Sequence, residues 1–141
     1  MIMDDPHNLQ RFADAQNPVL QQVRAELRRG RKTGHWMWFI FPQIKGLGSS
    51  ETAQYFAISS RQEAEAYLAH PVLGPRLREC SRLVTHILEK SVDQIFGYPN
   101  NLKFQSCMTL FAQATTENEV FLEALNMYFG GEFDQKTLAR M

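Results

Sequence analysis

Residues 34–43, which read GHWMWFIFPQ, constrain this chain more than any other segment. They contain both of its tryptophans and two of its ten phenylalanines. Aromatic side chains carry large apolar surfaces, and a cluster of them either builds a core or forms the wall of a binding site. The chain must therefore fold around this aromatic block or present part of it to a ligand. No catalytic motif beside the block decides between the two.

Length and composition indicate an ordinary globular chain. The 141 residues fit one domain that spans residues 1–141, and 44% hydrophobic with 21% charged residues is typical of a protein with a folded core. The formal net charge is zero, so a surface dedicated to nucleic acid is not expected.

The sequence shows no pattern for a cofactor, a metal ion or a membrane. Cys80 and Cys107 are far apart and form no CxxC pair, so we expect two buried free thiols, and the histidines lack metal-ligand spacing. The longest apolar run, residues 36–41, is much shorter than the ~20 residues of a membrane span. Asp4 and Asp5 interrupt any N-terminal signal sequence. We therefore expect a soluble, cytoplasmic protein without a cofactor.

Helix signals follow one another along the chain. A stripe of apolar residues recurs at steps of four and three, the spacing of a helix with one face in the core: Leu73, Leu77, Cys80, Val84 and Leu88. Residues that favour helix starts lie at Asn17-Pro18, Ser50, Ser60, Pro71, Ser91, Asn100 or Asn101, Thr116 and Asp134. Glycines that favour helix ends lie at Gly30, Gly97 and Gly130.

These signals predict an all-α fold, a single irregular multi-helix domain of about seven or eight short helices. Residues 36–41 show no clean periodicity. They fit either a buried helical segment or a short strand, and Pro42 ends either one.

Three blocks of the sequence resemble one family. They are the aromatic block followed by Gly46-Leu47-Gly48, residues 64–77, and residues 103–111, which read KFQSCMTLF. Together they are similar to the uncharacterised domain-of-unknown-function family DUF1810 over nearly the whole chain. The resemblance implies a mainly α-helical fold and no established activity. Family members often have an acidic residue shortly before the lysine of the third block, where this chain has Asn100 and Asn101, so we expect no carboxylate function there.

Some members of this family are labelled calpastatin, after the calpain inhibitor. Inhibitor repeats of that type look disordered, are rich in Pro, Glu, Lys and Ser, and fold only on their target. This chain has the composition of a folded core and no internal repeat. Its sequence therefore argues against that label.

The aromatic block supplies the first candidate site residues. The flat rings of Trp36 and Trp38 suit stacking on a nucleobase, a nicotinamide or a sugar, and the alternative is that they are core. His35 is the candidate catalytic residue, because an imidazole exchanges protons near neutral pH. The alternative for His35 is a hydrogen-bonded structural residue.

The loop after the block supplies the next candidates. Glycines allow a ligand to approach the backbone, and free N–H groups at a helix start favour an anion. The candidate ligand-binding residues here are Gln43, Lys45, Ser49 and Ser50. The alternative is a connecting turn in which Ser50 caps a helix.

The third block adds Lys103 and Ser106 to the candidate site. Ser106 and Thr109 lie three residues apart, so on a helix they point roughly the same way. They could line a pocket opposite the tryptophans or form hydrogen bonds within the helix stack.

A basic run precedes the aromatic block and comprises Arg24, Arg28, Arg29, Arg31 and Lys32. Such a run can meet the phosphates of RNA. Arg28 and Arg29, however, fall in the last turn of a predicted helix, where cations interact favourably with the helix dipole.

These features support three hypotheses. The first is binding of a planar phosphorylated metabolite, such as a nucleotide or an ADP-ribose-like compound, with His35 as proton carrier and Lys45 as anion partner if a reaction occurs. The alternative is a protein-interaction or structural helical module without catalytic activity. The second alternative is RNA binding, which the neutral net charge disfavours. The sequence predicts no oligomeric state.

Overall fold

Helices dominate the computed structural model, which describes residues 4–141. Within these residues there are ten: α1 Gln10–Gln16, α2 Leu20–Arg29, α3 Met37–Ile40, α4 Glu51–Tyr55, α5 Arg61–Ala69, α6 Leu73–Thr85, α7 Val92–Phe96, α8 Asn100–Gln113, α9 Glu119–Phe129 and α10 Gln135–Arg140. The predicted all-α class is confirmed, and the number of helices is higher than predicted. The difference lies in short elements such as the four-residue α3, which completes barely one turn and therefore leaves little periodicity to detect.

Side-chain caps explain several helix starts that were predicted. The hydroxyl oxygens of Ser50, Ser60 and Ser91 each accept a hydrogen bond from the backbone N–H three residues further on. The carboxylate of Asp134 does the same at the start of α10. These side chains satisfy N–H groups that have no partner inside the helix, which stabilises each start by roughly 1 kcal/mol.

Other predicted boundaries are wrong. Asn17 is the residue that ends α1, so α2 begins at Leu20 and not at Pro18. Thr116 caps no helix, because α9 begins at Glu119 directly after Asn118. The starts of α2 and α9 have no side-chain cap, so packing rather than a local motif sets them.

The apolar stripe of α6 is also shorter than predicted. The helix ends at Thr85, and Leu88 lies beyond it with 75% of its surface exposed. The other four members of the stripe are buried, so the predicted core-facing side of this helix is confirmed up to Val84.

Helix α8 occupies the centre of the structure. It packs against α5, α7, α9 and α10, while α6 packs against α2, α5 and α9. Eight of its side chains are buried, from Phe104 to Ala112. A helix covered by neighbours on most sides must be apolar on most sides, which explains why the third sequence block carries so many large apolar residues.

Residues 41–60 link α3 to α5 around the short α4 and are held in two places. Ile44 and Ile58 form an isolated parallel β-bridge, in which Ile58 N–H donates to the carbonyl of Gln43 and Lys45 N–H donates to the carbonyl of Ile58, each at 2.8 Å. Both isoleucines are buried. Polar groups of the loop are thus paired close to the core, which fixes the backbone between Gln43 and Lys45.

Arg11 of α1 makes the second attachment. Its Nε donates to the carbonyl of Tyr55 at 2.8 Å and its Nη2 donates to the carbonyl of Ala57 at 2.9 Å. Nη2 also lies 2.9 Å from Oε2 of Glu63 in α5, and both charged side chains are almost fully buried. Arg11 therefore ties the end of α4 to α1 and α5.

In residues 4–141 no helix combines the length and the apolar character that crossing a membrane requires.

Candidate functional site

Two adjoining cavities lie beside residues 41–60, the segment that is attached by Arg11 and by the β-bridge. Their volumes are about 450 and 470 Å³, and both are lined by Trp38, Gln43, Gly48 and Ala53. The first is also lined by Ile44, Lys45, Gly46, Gln54, Phe56 and Ala57. The second is also lined by Leu47, Ser49, Ser50, Pro99, Leu102, Lys103, Gln105, Ser106, Asp134 and Lys136. We call the two cavities together the Trp38 groove.

Most of the candidate residues meet in this groove. Those that line it are Trp38, Gln43, Lys45, Ser49, Ser50, Lys103 and Ser106. They come from α3, from the loop after it, from the start of α4 and from α8, which are far apart in sequence. The structure therefore brings the third sequence block beside the aromatic block.

Two candidates lie elsewhere. His35 is exposed, lines neither cavity and forms no hydrogen bond with the residues that the structure describes. Trp36 has only 1% of its surface exposed and belongs to the hydrophobic core. An enclosed ring cannot stack on a ligand. Trp36 is therefore a core residue and not a ligand-binding residue.

Glu26 explains how Trp36 can be buried. The indole Nε1 of Trp36 donates to Oε1 of Glu26 at 3.0 Å, and the same oxygen accepts the N–H groups of Thr33 at 2.6 Å and Gly34 at 2.9 Å. Oε2 accepts from the side-chain amide of Gln22 at 2.7 Å. A buried indole needs a partner for its N–H, and this carboxylate supplies it while it shapes the turn before the aromatic block.

The same contacts set the charge of Glu26. Burial by itself would raise the pKa of the carboxyl, because a low-dielectric environment disfavours the charged form. The hydrogen bonds from Gly34, Thr33, Gln22 and Trp36 outweigh burial and lower the pKa to about 2. Glu26 is therefore a carboxylate at neutral pH although its side chain is buried.

Trp38 has a different environment. Its side chain is half-buried, and its indole nitrogen has no hydrogen-bond partner among residues 4–141. Nζ of Lys103 lies 5.0 Å from the centroid of its ring, within the range of a cation–π contact. The groove thus contains the aromatic surface of Trp38 and the ammonium of Lys103 side by side.

Lys103 lies in a partly buried position that lacks an acidic partner. Burial lowers the pKa of its ammonium from the ordinary value. No Asp or Glu in the described part of the chain forms an ion pair with it. An anion that entered the groove would therefore find this cation unneutralised.

Further cations line the groove or stand beside it. Lys45 lines the first cavity and Lys136 the second. A Cβ atom placed on Gly46 would lie 3.1 Å from Nε of Arg140, so the guanidinium of α10 lies against the loop that carries Lys45. The groove therefore has cationic side chains at both of its cavities.

The polar side of the second cavity is a network around Asp134. Its Oδ2 accepts from Oγ of Ser106 at 3.0 Å, from Oγ1 of Thr137 at 2.6 Å and from the N–H of Thr137 at 3.2 Å. The N–H of Asp134 donates to Oγ1 of Thr109 at 2.9 Å. These bonds hold the carboxylate against α8 and α10 in one orientation.

Part of the groove is formed by residues that carry no functional pattern in the sequence. The wall from α4 includes Ala53, Gln54 and Phe56, and none of these carried a functional signal in the sequence. Asp134 was identified only as a helix cap, and Lys136 follows it in the same short helix. A helix cap can be identified from the local sequence. That Asp134 also lines the groove depends on the packing of α10 against α8, which the sequence does not show.

The basic run before the aromatic block is partly occupied within the protein. Nε and Nη2 of Arg24 donate to the two carboxylate oxygens of Glu79, each at 2.9 Å. Nζ of Lys32 lies 5.1 Å from the centroid of the Trp36 ring. Burial, together with repulsion by Lys103, lowers the pKa of Lys32, although Glu26 acts in the opposite direction. Fewer cations are therefore available to RNA than the sequence suggested.

Cys80 and Cys107 are buried free thiols, as expected. Burial raises the pKa of Cys80 to about 12 and places that of Cys107 well above the ordinary value. Across residues 4–141, no group of three or more His, Cys, Asp or Glu side chains is arranged to hold a metal ion.

Comparisons with known proteins agree with the observed fold. The sequence model of the family described as "Protein of unknown function (DUF1810)" matches residues 6–141. The structure is similar to the crystal structure of the conserved hypothetical protein Rv1873 from Mycobacterium tuberculosis, with a TM-score of 0.95, 54% sequence identity and coverage of 96% of each chain. No curated protein matches the sequence.

Proposed function

This chain belongs to the DUF1810 family, and we propose that it binds a planar phosphorylated metabolite, such as a nucleotide or an ADP-ribose-like compound, in the Trp38 groove. One observation carries the proposal: the exposed part of an indole ring and an ammonium without an acidic partner lie together in a cavity, at Trp38 and Lys103. The two groups match the two parts of such a ligand.

The ring of Trp38 suits the planar part. Stacking of a base on an aromatic side chain contributes roughly 1–3 kcal/mol, whatever the identity of the base. The ring lies on α3, whose backbone is anchored because Met37 and Ile40 of this helix are buried in the core. A tryptophan side chain has only two rotatable torsions, so it loses little conformational entropy when it binds a ligand.

The lysines suit the phosphate. Lys45, Lys103 and Lys136 line the two cavities, and an ammonium in a partly desolvated groove attracts an anion more strongly than one in bulk water. Volumes of about 450 and 470 Å³ lie in the range of small-molecule sites. The side-chain amide of Gln43 lies between the two cavities and has no hydrogen-bond partner among residues 4–141, so it can bond to the edge of a ring.

The proposal is one of binding and assigns no reaction. His35 lines neither cavity, so its imidazole is not placed to exchange a proton with a ligand in the groove. The alternative hypothesis, a structural or protein-interaction module, predicts that the whole aromatic block is buried, and Trp36 is buried. Trp38 supports the binding hypothesis, because it lines both cavities.

Isothermal titration calorimetry with AMP, ADP-ribose and inorganic phosphate tests the proposal. We expect saturable binding of AMP and ADP-ribose, weakened by about tenfold or more in Lys103→Gln, since an ion pair to phosphate in a partly buried site is a strong contact. Lys90→Gln is the matched control, because Lys90 is a lysine that lines neither cavity. Absence of binding by both nucleotides would overturn the proposal. Equal losses in the two lysine variants would also overturn it.

A further inference from the structure

We propose that Asp134 recognises hydroxyl groups of the ligand, so that the groove takes a ribose-bearing phosphate in preference to an aromatic phosphate without a sugar diol. This inference rests on the proposed function and names the class of ligand more narrowly. Asp134 is the only acidic residue among the described residues that line the two cavities. It lines the second cavity together with Lys103 and Lys136, yet it forms an ion pair with neither.

The hydrogen bonds of Asp134 are distributed unequally between its two oxygens. Oδ2 accepts all three bonds that the side chain receives, from Ser106 and from the hydroxyl and backbone N–H of Thr137. Oδ1 accepts none from residues 4–141. A carboxylate can accept about four hydrogen bonds, two at each oxygen, so Oδ1 keeps its full capacity. It is the oxygen that a ligand can use.

The orientation of this free oxygen is fixed before any ligand arrives. The bonds from Ser106 and Thr137 hold the side chain to α8 and α10, and the bond from the N–H of Asp134 to Thr109 holds the backbone. A ligand that binds Oδ1 therefore loses no entropy in ordering the carboxylate. Preorganised acceptors of this kind are typical of sites that discriminate between ligands.

The charge of Asp134 narrows the class of ligand. A carboxylate repels a phosphate group, so a ligand that carried only phosphate and an apolar ring would bind less well because of it. A ligand with hydroxyl donors gains charge-assisted hydrogen bonds at the same place. A ribosyl phosphate carries both groups, since its vicinal hydroxyls suit Asp134 while its phosphate suits the lysines.

A role limited to capping does not account for the free oxygen. Capping of α10 uses Oδ2 alone, through the N–H of Thr137. Neutralisation of a lysine does not account for it either, because no described lysine or arginine forms an ion pair with Asp134.

The test compares AMP with 2′,3′-dideoxy-AMP by calorimetry on the unaltered protein and on Asp134→Asn. The two nucleotides share the base and the phosphate and differ in the ribose hydroxyls. Asparagine is as good a helix cap as aspartate. Because the backbone N–H of Thr137 demands an acceptor at the Oδ2 position, the amide NH₂ of Asn takes the Oδ1 position, where it cannot accept a hydroxyl hydrogen and can donate only a neutral hydrogen bond to a hydroxyl oxygen.

On the unaltered protein we expect AMP to bind about tenfold or more tightly than the dideoxy compound, the loss expected from a charge-assisted hydrogen bond. Asp134→Asn should reduce this difference, because a weaker neutral hydrogen bond replaces the charge-assisted one, and should leave the affinity for the dideoxy compound unchanged or higher. Equal affinities on the unaltered protein would overturn the inference while the proposed function stands, and this comparison needs no variant to fold. An AMP preference of undiminished size in Asp134→Asn would also overturn it. Binding of neither nucleotide would instead refute the proposed function.

Discussion

The indole Nε1 of Trp36 donates a hydrogen bond of 3.0 Å to the carboxylate of Glu26. Trp38, two residues further on, has its ring beside Nζ of Lys103 at 5.0 Å and lines both cavities. The aromatic block therefore divides between two environments. One tryptophan completes the core, and the other forms a wall of the groove.

This division predicts opposite effects for two alanine substitutions. Trp36→Ala leaves a large cavity and removes a hydrogen-bond partner from a buried carboxylate, so we expect a loss of about 3–5 kcal/mol in the free energy of unfolding. Trp38→Ala should cost much less stability and should abolish most of the binding of AMP. Urea unfolding and calorimetry on the two variants measure both quantities. Equal stability losses would contradict the assignment of Trp38 to the groove.

The low pKa of Glu26 makes the stability of the protein depend on pH. The pKa of Glu26 is about 2 in the folded protein, against 4.5 for an ordinary glutamate. As the pH falls, the carboxylate of Glu26 is therefore protonated at a higher pH in the unfolded chain than in the folded protein. The carboxylate therefore contributes stability that is complete above about pH 4.5 and is lost as the pH falls toward 2. The contribution is of the order of 3 kcal/mol.

Glu26→Gln tests that contribution. The variant should be less stable at neutral pH and should show a flatter dependence of unfolding free energy on pH between about 4.5 and 2. Denaturant unfolding at a series of pH values measures the slope. A variant whose slope equals that of the unaltered protein would show that another carboxyl group titrates in this window.

The ion pair of Arg11 and Glu63 should couple the core to the wall of the groove. The side chains are 8% and 4% exposed, so loss of one partner leaves a buried charge without its counterion. We expect Arg11→Met and Glu63→Gln each to lower the free energy of unfolding by about 3–5 kcal/mol, and the double variant to lose less than the sum. Urea unfolding of the three variants gives the coupling energy. Strictly additive losses would show that the pair contributes no interaction of its own.

The two thiols should be inert in the folded protein. Burial raises the pKa of Cys80 to about 12 and that of Cys107 well above the ordinary value, so almost no thiolate exists at neutral pH. We expect the thiol reagent DTNB to react slowly with the native protein and rapidly with the denatured chain. Rapid native reaction with one thiol would show that one helix of the core opens readily.

The sequence predicted features that depend on local chemistry. The caps at Ser50, Ser60, Ser91 and Asp134 were predictable because a short polar side chain at a helix start can accept a hydrogen bond from an unpaired backbone N–H. Local chemistry could not locate α2 and α9, whose starts have no such cap, nor the β-bridge between Ile44 and Ile58, because its two residues are brought together by the fold.

The candidate site was predictable in part for the same reason. Residues such as Gln43, Lys45 and Lys103 stand out by their chemistry beside aromatic or glycine residues, and they do meet in the groove. That a buried indole needs a partner for its N–H suggested that one tryptophan lies at a rim, but which one was not predictable, because this depends on Glu26, whose carboxylate accepts a hydrogen bond from the indole of Trp36 and not from that of Trp38. The role inferred for Asp134 likewise depends on how α10 packs on α8.

Tryptophan emission tests the central claim that Trp38 forms the wall of a ligand site. The chain has two tryptophans, so Trp38→Phe leaves only the enclosed Trp36 as a reporter. We expect titration with AMP to change the emission of the unaltered protein in a saturable way and to leave the emission of Trp38→Phe unchanged. If neither AMP nor ADP-ribose changes the emission of the unaltered protein at any concentration, Trp38 does not form the wall of a site for these ligands.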